Sequence, residues 1–414
     1  MRAIQADSCD GYVSYLDTVT YAREDGPMTD ATTPAVSEGD MNRALQRLET
    51  LVRIESPSLD VAASERVSSV LAGWWRECGA QVRTVTTEAG TSVIAEVDGE
   101  GEPVLFVGHS DTVWPRGTLD SSLPFAREGE VLTGPGAYDM KSGLVVMLAA
   151  VEAVRDAPHR PVRVVVVCDE EVGSPTTGRV LRDAVEGVAA VLGFESPHPD
   201  GALKVGRRGS TRLRLRVTGV AAHAALDPDA GVSAIDELVD QLAEVRRLVS
   251  APGLASEVLC NVGSISGGAR ANVVAAHAEA EIGLRFEDPD TERQILGEIE
   301  RLRPVRERAR LDVDILSHRP TWRPTSHDAL VADALARAAR RTGGELPSAR
   351  PAAGAGDTNS FGASGVPTVD GLGPRGGGAH ALSERVVVSS LGERIALVAD
   401  YLRVVDGEAS LVDM

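Results

Sequence analysis

The stretch VLFVGHSDTVWPRG, Val104–Gly117, opens as an unbroken apolar run, then turns polar at His109 and places an acid, Asp111, two positions later. A short apolar run that ends so abruptly reads as a strand buried on both faces. The pattern recurs downstream. VRVVVVC runs into Asp169, Glu170 and Glu171; VAAVLGF runs into Glu195; GVPTVDGLG leads into the glycine-rich loop GLGPRGGGAH, which ends on His380. Helical patterns lie between these runs: MKSGLVVMLAAVEAV, a segment near 178–186, HDALVADALARAARR from His327, and SLGERIALVADYLRVV. Val-rich runs separated by helices predict an α/β fold with a mainly parallel sheet covered on both faces.

The grammar changes between residues 209 and 318. TRLRLRV alternates charged and apolar residues, so one face of that strand meets water. After it come a helix (VSAIDELVDQLAEVRRLV), strands VLCNVGSI and ANVVAAHAEAEIGLRF, a helix (TERQILGEIERL) and a strand LDVDILS. The order β-α-β-β-α-β is that of a ferredoxin-like α+β unit. The chain is therefore expected to hold an α/β domain over 41–208 and 319–414, interrupted by a smaller domain over 209–318. Upstream, residues 1–40 carry eight acidic and two basic side chains without sustained periodicity, and are predicted to be a disordered extension. Folding is expected to begin near Met41, where MNRALQRLETLVRI places Leu45, Leu48, Leu51 and Val52 on one helical face.

At 414 residues the chain exceeds one ordinary core, and its 43% apolar content can fill two. No segment approaches the roughly 18–20 apolar residues of a membrane helix, and no basic segment followed by an apolar block marks the N-terminus. The reading is a soluble, cytoplasmic protein. With 61 acidic against 42 basic residues, the net charge of −19 opposes a nucleic-acid or membrane-surface partner. Cys9, Cys78, Cys168 and Cys260 lie far apart with no CxxC spacing, so neither a zinc knuckle nor a disulfide framework is indicated.

Ligands of open α/β sheets bind beyond the carboxyl ends of the strands. His109, Asp111, Asp169, Glu170, Glu171, Glu195 and His380 all follow apolar runs, and the turn GPGAYDMKSG sets Asp139 at a helix start. Taken singly, Asp139 reads as a helix cap and the DEE run as a solvated turn. Their gathering at strand ends is what points to a site. Two imidazoles with several carboxylates suit zinc or a related ion better than magnesium or calcium, which favour all-oxygen sites.

GHSDTV, GPGAYDMKSG, CDEEVGS, GFESP and GGGAH, in this order, resemble the motif set of the di-zinc aminoacylase/carboxypeptidase family, nearest to its glutamate carboxypeptidases of the carboxypeptidase G type. The resemblance covers about 41–414. It implies a zinc-peptidase-like catalytic domain and a lid/dimerisation domain. One zinc would be held by His109, Asp139 and Glu195, the other by Asp139, Glu171 and His380, with Asp139 bridging and cobalt or manganese as possible substitutes. Asp111 would accept the free imidazole N–H of His109. Glu170 would be the general base, and His223, in VAAHAAL, would stabilise the oxyanion in the partner subunit of a homodimer. Asn272, Arg285 and Arg319 match polar positions of the family, with Arg319 the first choice for a terminal carboxylate. The peptide Asp139–Met140 is expected to be cis.

The resemblance implies hydrolysis of an amide to release a C-terminal amino acid, glutamate in the first instance, from an N-acyl or peptidyl substrate. ALKVGRRG offers Lys204, Arg207 and Arg208 where the family sets one lysine, so the residue selecting the substrate side chain stays open. GAGDTN stands in place of the commoner GGSDxN, with Asp357 and Asn359 kept. An aminoacylase or small-molecule amidohydrolase is the alternative activity, and a catalytically silent scaffold on the same fold is the alternative of another class. GLGPRG formally fits GxGxxG but lacks the rest of a dinucleotide fingerprint, and no GxSxG elbow is present.

Overall fold

The computed structural model describes residues 36–403, so all but the last five residues of the predicted 1–40 extension lie outside it. Those five correct its boundary. Helix α1 spans Glu38–Arg53, three residues ahead of the expected start, because the Ser37 side chain caps it by accepting from the backbone N–H of Asp40 at 3.1 Å. Its buried face is Ala44, Leu48, Leu51 and Val52. Helix α2 follows at Val61–Glu77.

Strands β1 (Gln81–Thr87), β2 (Gly90–Val97), β3 (Val104–His109), β4 (Val162–Val167), β5 (Ala190–Gly193) and a short sixth strand (Thr368–Val369) form one sheet. Its spatial order is β1-β2-β4-β3-β5, then the sixth strand. The pairs β3/β4, β3/β5 and β5/sixth strand are parallel, and only β2 runs against its neighbours. The β1/β2 hairpin went unmarked in the sequence reading because β1 is half exposed along its length and shows no apolar run.

Alternation along β3 sends Val104 and Phe106 into one core and Leu105 and Val107 into another on the opposite face. Burying each large side chain contributes about 1.5–3 kcal/mol, so both faces specify the register. Helix α3, Ser142–Val154, is apolar nearly all round and packs between α1 and the C-terminal helix Val388–Leu402. Gly143 permits its close approach to the site: a Cβ there would run into the carbonyl oxygen of Phe194, one residue before Glu195.

The inserted unit comprises β6 (Gly209–Thr218), α4 (Ala234–Val249), β7 (Val258–Gly267), β8 (His277–Phe286), α5 (Pro289–Glu300) and β9 (Arg310–Arg319). The antiparallel sheet order is β7-β8-β6-β9. Leu213, Leu215 and Val217 of β6 face a core shared with α4 and α5, and the arginines between them face outward. The expected strand from Ala271 begins only at His277; the preceding residues instead fold against the loop of His223, with Ala224 N–H donating to Asn272 O at 3.0 Å. No helix among the described residues is long and apolar enough to cross a membrane.

Asn359 fastens the two crossings between the units. It is fully buried, and its amide donates to Arg208 O at 3.0 Å, before β6, and to Pro320 O at 2.8 Å, after β9.

Candidate metal centre

The carboxyl edge of the first sheet carries the polar cluster. His109 closes β3, Glu170 and Glu171 open a single turn after β4, and Glu195 follows β5. Asp139 lies in the turn before α3, whose Asp139–Met140 peptide is cis, and His380 sits in the glycine-rich loop at φ 60°.

His109 Nε2 lies 3.3 Å from Asp139 Oδ1 and 3.4 Å from Glu195 Oε1. His380 Nε2 lies 3.3 Å from Asp139 Oδ2 and 3.1 Å from Glu171 Oε2. The two oxygens of Asp139 therefore face two different imidazoles. Neighbouring ligands of a tetrahedral zinc with bonds of 2.0–2.1 Å stand about 3.3–3.4 Å apart, so these separations fit donors arranged around cations. Glu170 also joins the cluster: one ligand atom each from His109, Glu170 and Glu195 lie within 4.8 Å of one another, as do those of His109, Asp139 and Glu171.

The imidazole tautomer supports the same reading. His109 Nδ1 is 2.9 Å from the carbonyl oxygen of Asp111, which only an Nδ1–H can satisfy, so Nε2 is the nitrogen turned toward Asp139 and Glu195. Burial opposes a charged imidazole, but Asp111, Asp139 and Glu195 outweigh it and hold His109 well above the usual histidine range, so a cation bound at Nε2 would take the place of a proton there. Asp111 departs from expectation in detail, since its carboxylate stands farther from Nδ1, at 3.4 Å. That carboxylate already accepts from Ser58 Oγ at 2.7 Å and from the backbone N–H groups of Glu170 and Glu171 at 3.1 and 3.2 Å. It orders the turn bearing both glutamates. Asp169 plays a similar part, accepting from Thr176 N and Oγ1 at 2.8 Å and from Thr177, and so is turned away from the cluster.

Crowding of buried acids shapes the electrostatics. Burial, together with Asp139, pushes the Glu195 carboxyl above the usual range; burial likewise raises Glu170, although Arg319 opposes it. Asp139 and Glu171 lift His380 to about 10. The share of these shifts that comes from neighbouring carboxylates, Asp139 on Glu195 and Asp139 with Glu171 on His380, is negative charge that divalent cations would neutralise.

Glu384 lies in none of the sequence motifs, and Asp357 is marked there only as a kept residue of GAGDTN; the structure brings both to this site. Glu384 is fully buried and accepts from Trp114 Nε1 at 2.6 Å and from the backbone N–H groups of Gly136, Tyr138 and Asp139 at 2.9–3.1 Å. Asp357 meets Arg319, whose Nη2 also lies 2.7 Å from Glu170 Oε1. Arg319, expected to face a substrate carboxylate, is thus engaged with the expected base. Arg207 is buried on Asp370 and Arg208 pairs with Glu287. Burial and Arg207 hold the Lys204 amine below the usual lysine range, with Asp370, Glu195 and Asp139 near enough to oppose them.

His223, Asn272 and Arg285 are exposed on the inserted unit. His223 Nδ1 accepts from the N–H groups of Ala225 and Leu226 at 3.2 and 3.1 Å. No metal-cluster side chain is among its bonding partners within the described residues. Arg285 lies in one cross-strand row with Ser210 and Arg319.

The model of peptidase family M20/M25/M40 matches residues 105–404. The chain belongs to this family. Among curated relatives, carboxypeptidase G2 of Pseudomonas sp. is 26% identical over 367 residues, covering 86% of this chain and 87% of that one. Among solved structures, the M20 family metallo-carboxypeptidase Sso-CP2 of Sulfolobus solfataricus superposes with a TM-score of 0.64 at 17% identity, over 86% of this chain and 98% of that one. Aminopeptidase PepT of Bacillus cereus gives 0.67 at 22% identity, over 87% and 98%. These structural likenesses show the shared fold, an α/β domain with a smaller inserted α+β unit, and membership of the M20 family makes the chain a metallo-hydrolase.

Proposed function

We propose that this M20 hydrolase is a two-zinc amidohydrolase that releases a C-terminal amino acid, glutamate in the first instance, from an N-acyl or short peptidyl substrate. The observation that carries the reading is Asp139, whose two oxygens each stand 3.3 Å from a different histidine. His109, Asp139 and Glu195 would hold one ion, and Asp139, Glu171 and His380 the other. Bound there, zinc would polarise the scissile carbonyl and lower the pKa of the attacking water.

Glu170 takes the proton of that water and returns it to the departing amine as the C–N bond breaks, leaving a free acid and an amino acid. His223, with Nδ1 acting as acceptor, carries its proton on Nε2 and can donate to an oxyanion; its exposure fits a role in the site of a partner subunit. Arg285 and Asn272 would be the inserted unit's contacts to the substrate, and Lys204 is the candidate for selecting the substrate side chain.

Prolonged dialysis against a strong chelator is expected to abolish hydrolysis of N-acyl-glutamates, and zinc to restore it. Full activity in protein shown by elemental analysis to be metal-free removes the mechanism. A panel of other acyl amino acids tests the substrate: preference for a residue other than glutamate favours the aminoacylase alternative.

A further inference from the structure

Arg319 is the last residue of β9, where the chain returns from the lid, and its side chain is only 15% exposed. Among the described residues one nitrogen makes its polar contacts: Nη2 lies 2.7 Å from Glu170 Oε1, 2.6 Å from the Glu170 carbonyl oxygen and 3.2 Å from Asp357 Oδ1. Asp357 is itself fixed by Ser174 Oγ at 2.6 Å, so both ends of the arrangement rest on the turn after β4 and the segment leading to Asn359. A terminal carboxylate is gripped well by a guanidinium that offers two parallel N–H bonds from adjacent nitrogens. Here Nη2 has two hydrogens for three acceptors, and Nε is buried without a partner. Only Nη1 stays open to a ligand.

We infer that Arg319 is a positioning residue for the base: the chain Asp357–Arg319–Glu170 holds one oxygen of the Glu170 carboxylate and leaves the other to receive the proton of the attacking water. The inference rests on the reading of Glu170 as the general base. It assigns the substrate's α-carboxylate to another group, and Arg285 suits that task. Arg285 is exposed in the same cross-strand row and makes one hydrogen bond, to Leu284 O. Because Arg319 belongs to the lid sheet, the base is also tied to the position of the lid.

The test compares zinc-loaded wild type with Arg319→Gln, Arg319→Lys, Asp357→Asn and the double variant Arg319→Gln/Asp357→Asn on an N-acyl-glutamate, using free glutamate as product inhibitor. Arg319→Gln is expected to lower kcat by about 100-fold, the scale on which misplacing a catalytic group acts, with KM and the inhibition constant for glutamate within about threefold. Asp357→Asn should lower kcat by about tenfold, and the double variant should fall no further than Arg319→Gln, since both changes break one chain. A rise of about tenfold or more in KM and in the inhibition constant, with kcat intact, overturns the inference and returns the carboxylate to Arg319. If Arg319→Gln does not fold, Arg319→Lys and Asp357→Asn decide by the same split. A wild type inactive on every acyl amino acid refutes the proposed activity instead. The arrangement is then judged from a crystal structure of the zinc-loaded protein, where Arg319 on Glu170 upholds it and Arg319 withdrawn from Glu170 overturns it.

Discussion

Glu384 accepts four hydrogen bonds, three of them from the backbone turn that presents Asp139. Replacing it with Gln puts an amide NH2 where an acceptor is needed and leaves buried N–H groups unpaired, each costing about 1–3 kcal/mol. The bridging carboxylate would lose its fixed aim. Zinc affinity of Glu384→Gln, measured by competition with a chromophoric chelator, is therefore expected to fall about 10–100-fold, the usual effect of losing a group that orients a ligand; unchanged affinity would show that the turn holds its shape unaided. The contrast with His109 explains what sequence can reveal at this scale. His109, Glu170, Glu171 and Glu195 each follow an apolar run within the same segment, so a local pattern exposes them. Glu384 is separated from its partners by 245–270 residues, and nothing around it distinguishes a buried hub from a loop acid. Arg319 was legible as a site residue but not in its role, because its partner Glu170 lies 149 residues away and only folding shows which donors are taken.

The elements themselves were legible where burial imposed a period. Val-rich runs gave β3, β4 and β5, and the charged-apolar alternation gave β6, because each pattern mirrors the faces those strands cover. The β1/β2 hairpin and the late start of β8 were lost where strand and loop share a composition. Within the lid, helix α4 is joined to the α5–β9 connection through Glu237, which is fully buried and accepts from Gln241 Nε2, Val305 N and Arg306 N at 2.8–2.9 Å. Burial pushes the Glu237 carboxyl up, but these donors and the Arg306 guanidinium outweigh it and hold it below the usual range. A depressed folded-state pKa means stability that is fully present above the unfolded value of about 4.3 and is lost as pH falls through the folded value. Glu237→Gln is thus expected to destabilise the lid by about 1.5–3 kcal/mol at pH 7, the worth of hydrogen bonds to a charged group. The deficit should shrink below about pH 4. Urea unfolding of metal-free wild type and variant at both pH values checks this, and a deficit equal at pH 7 and pH 3.5 would show that charge is not its source.

At the scale of the molecule, the lid carries a histidine whose bonding partners among the described residues include no side chain of the metal cluster. His223 is exposed, and the edge strand β7 with α4 presents exposed Leu259, Ile265, Ile235 and Val239, a surface able to receive a second copy of the chain. If His223 serves the partner's centre, Glu170→Gln and His223→Ala homodimers should both be nearly inactive, one for want of a base and the other for want of an oxyanion donor. Mixing them has an asymmetric consequence. In a heterodimer, the centre of the His223→Ala chain keeps its own Glu170 and receives an intact His223 from the other subunit, while the second centre lacks both groups. Random exchange in a two-fold dimer makes about half the molecules heterodimers with one working centre each, so roughly a quarter of wild-type activity should return. Differently tagged chains that purify together establish that exchange has taken place. Activity that then stays at the level of the parent variants would place His223 outside the partner's chemistry, and the lid histidine would have to reach a centre in its own chain by a movement of the lid instead.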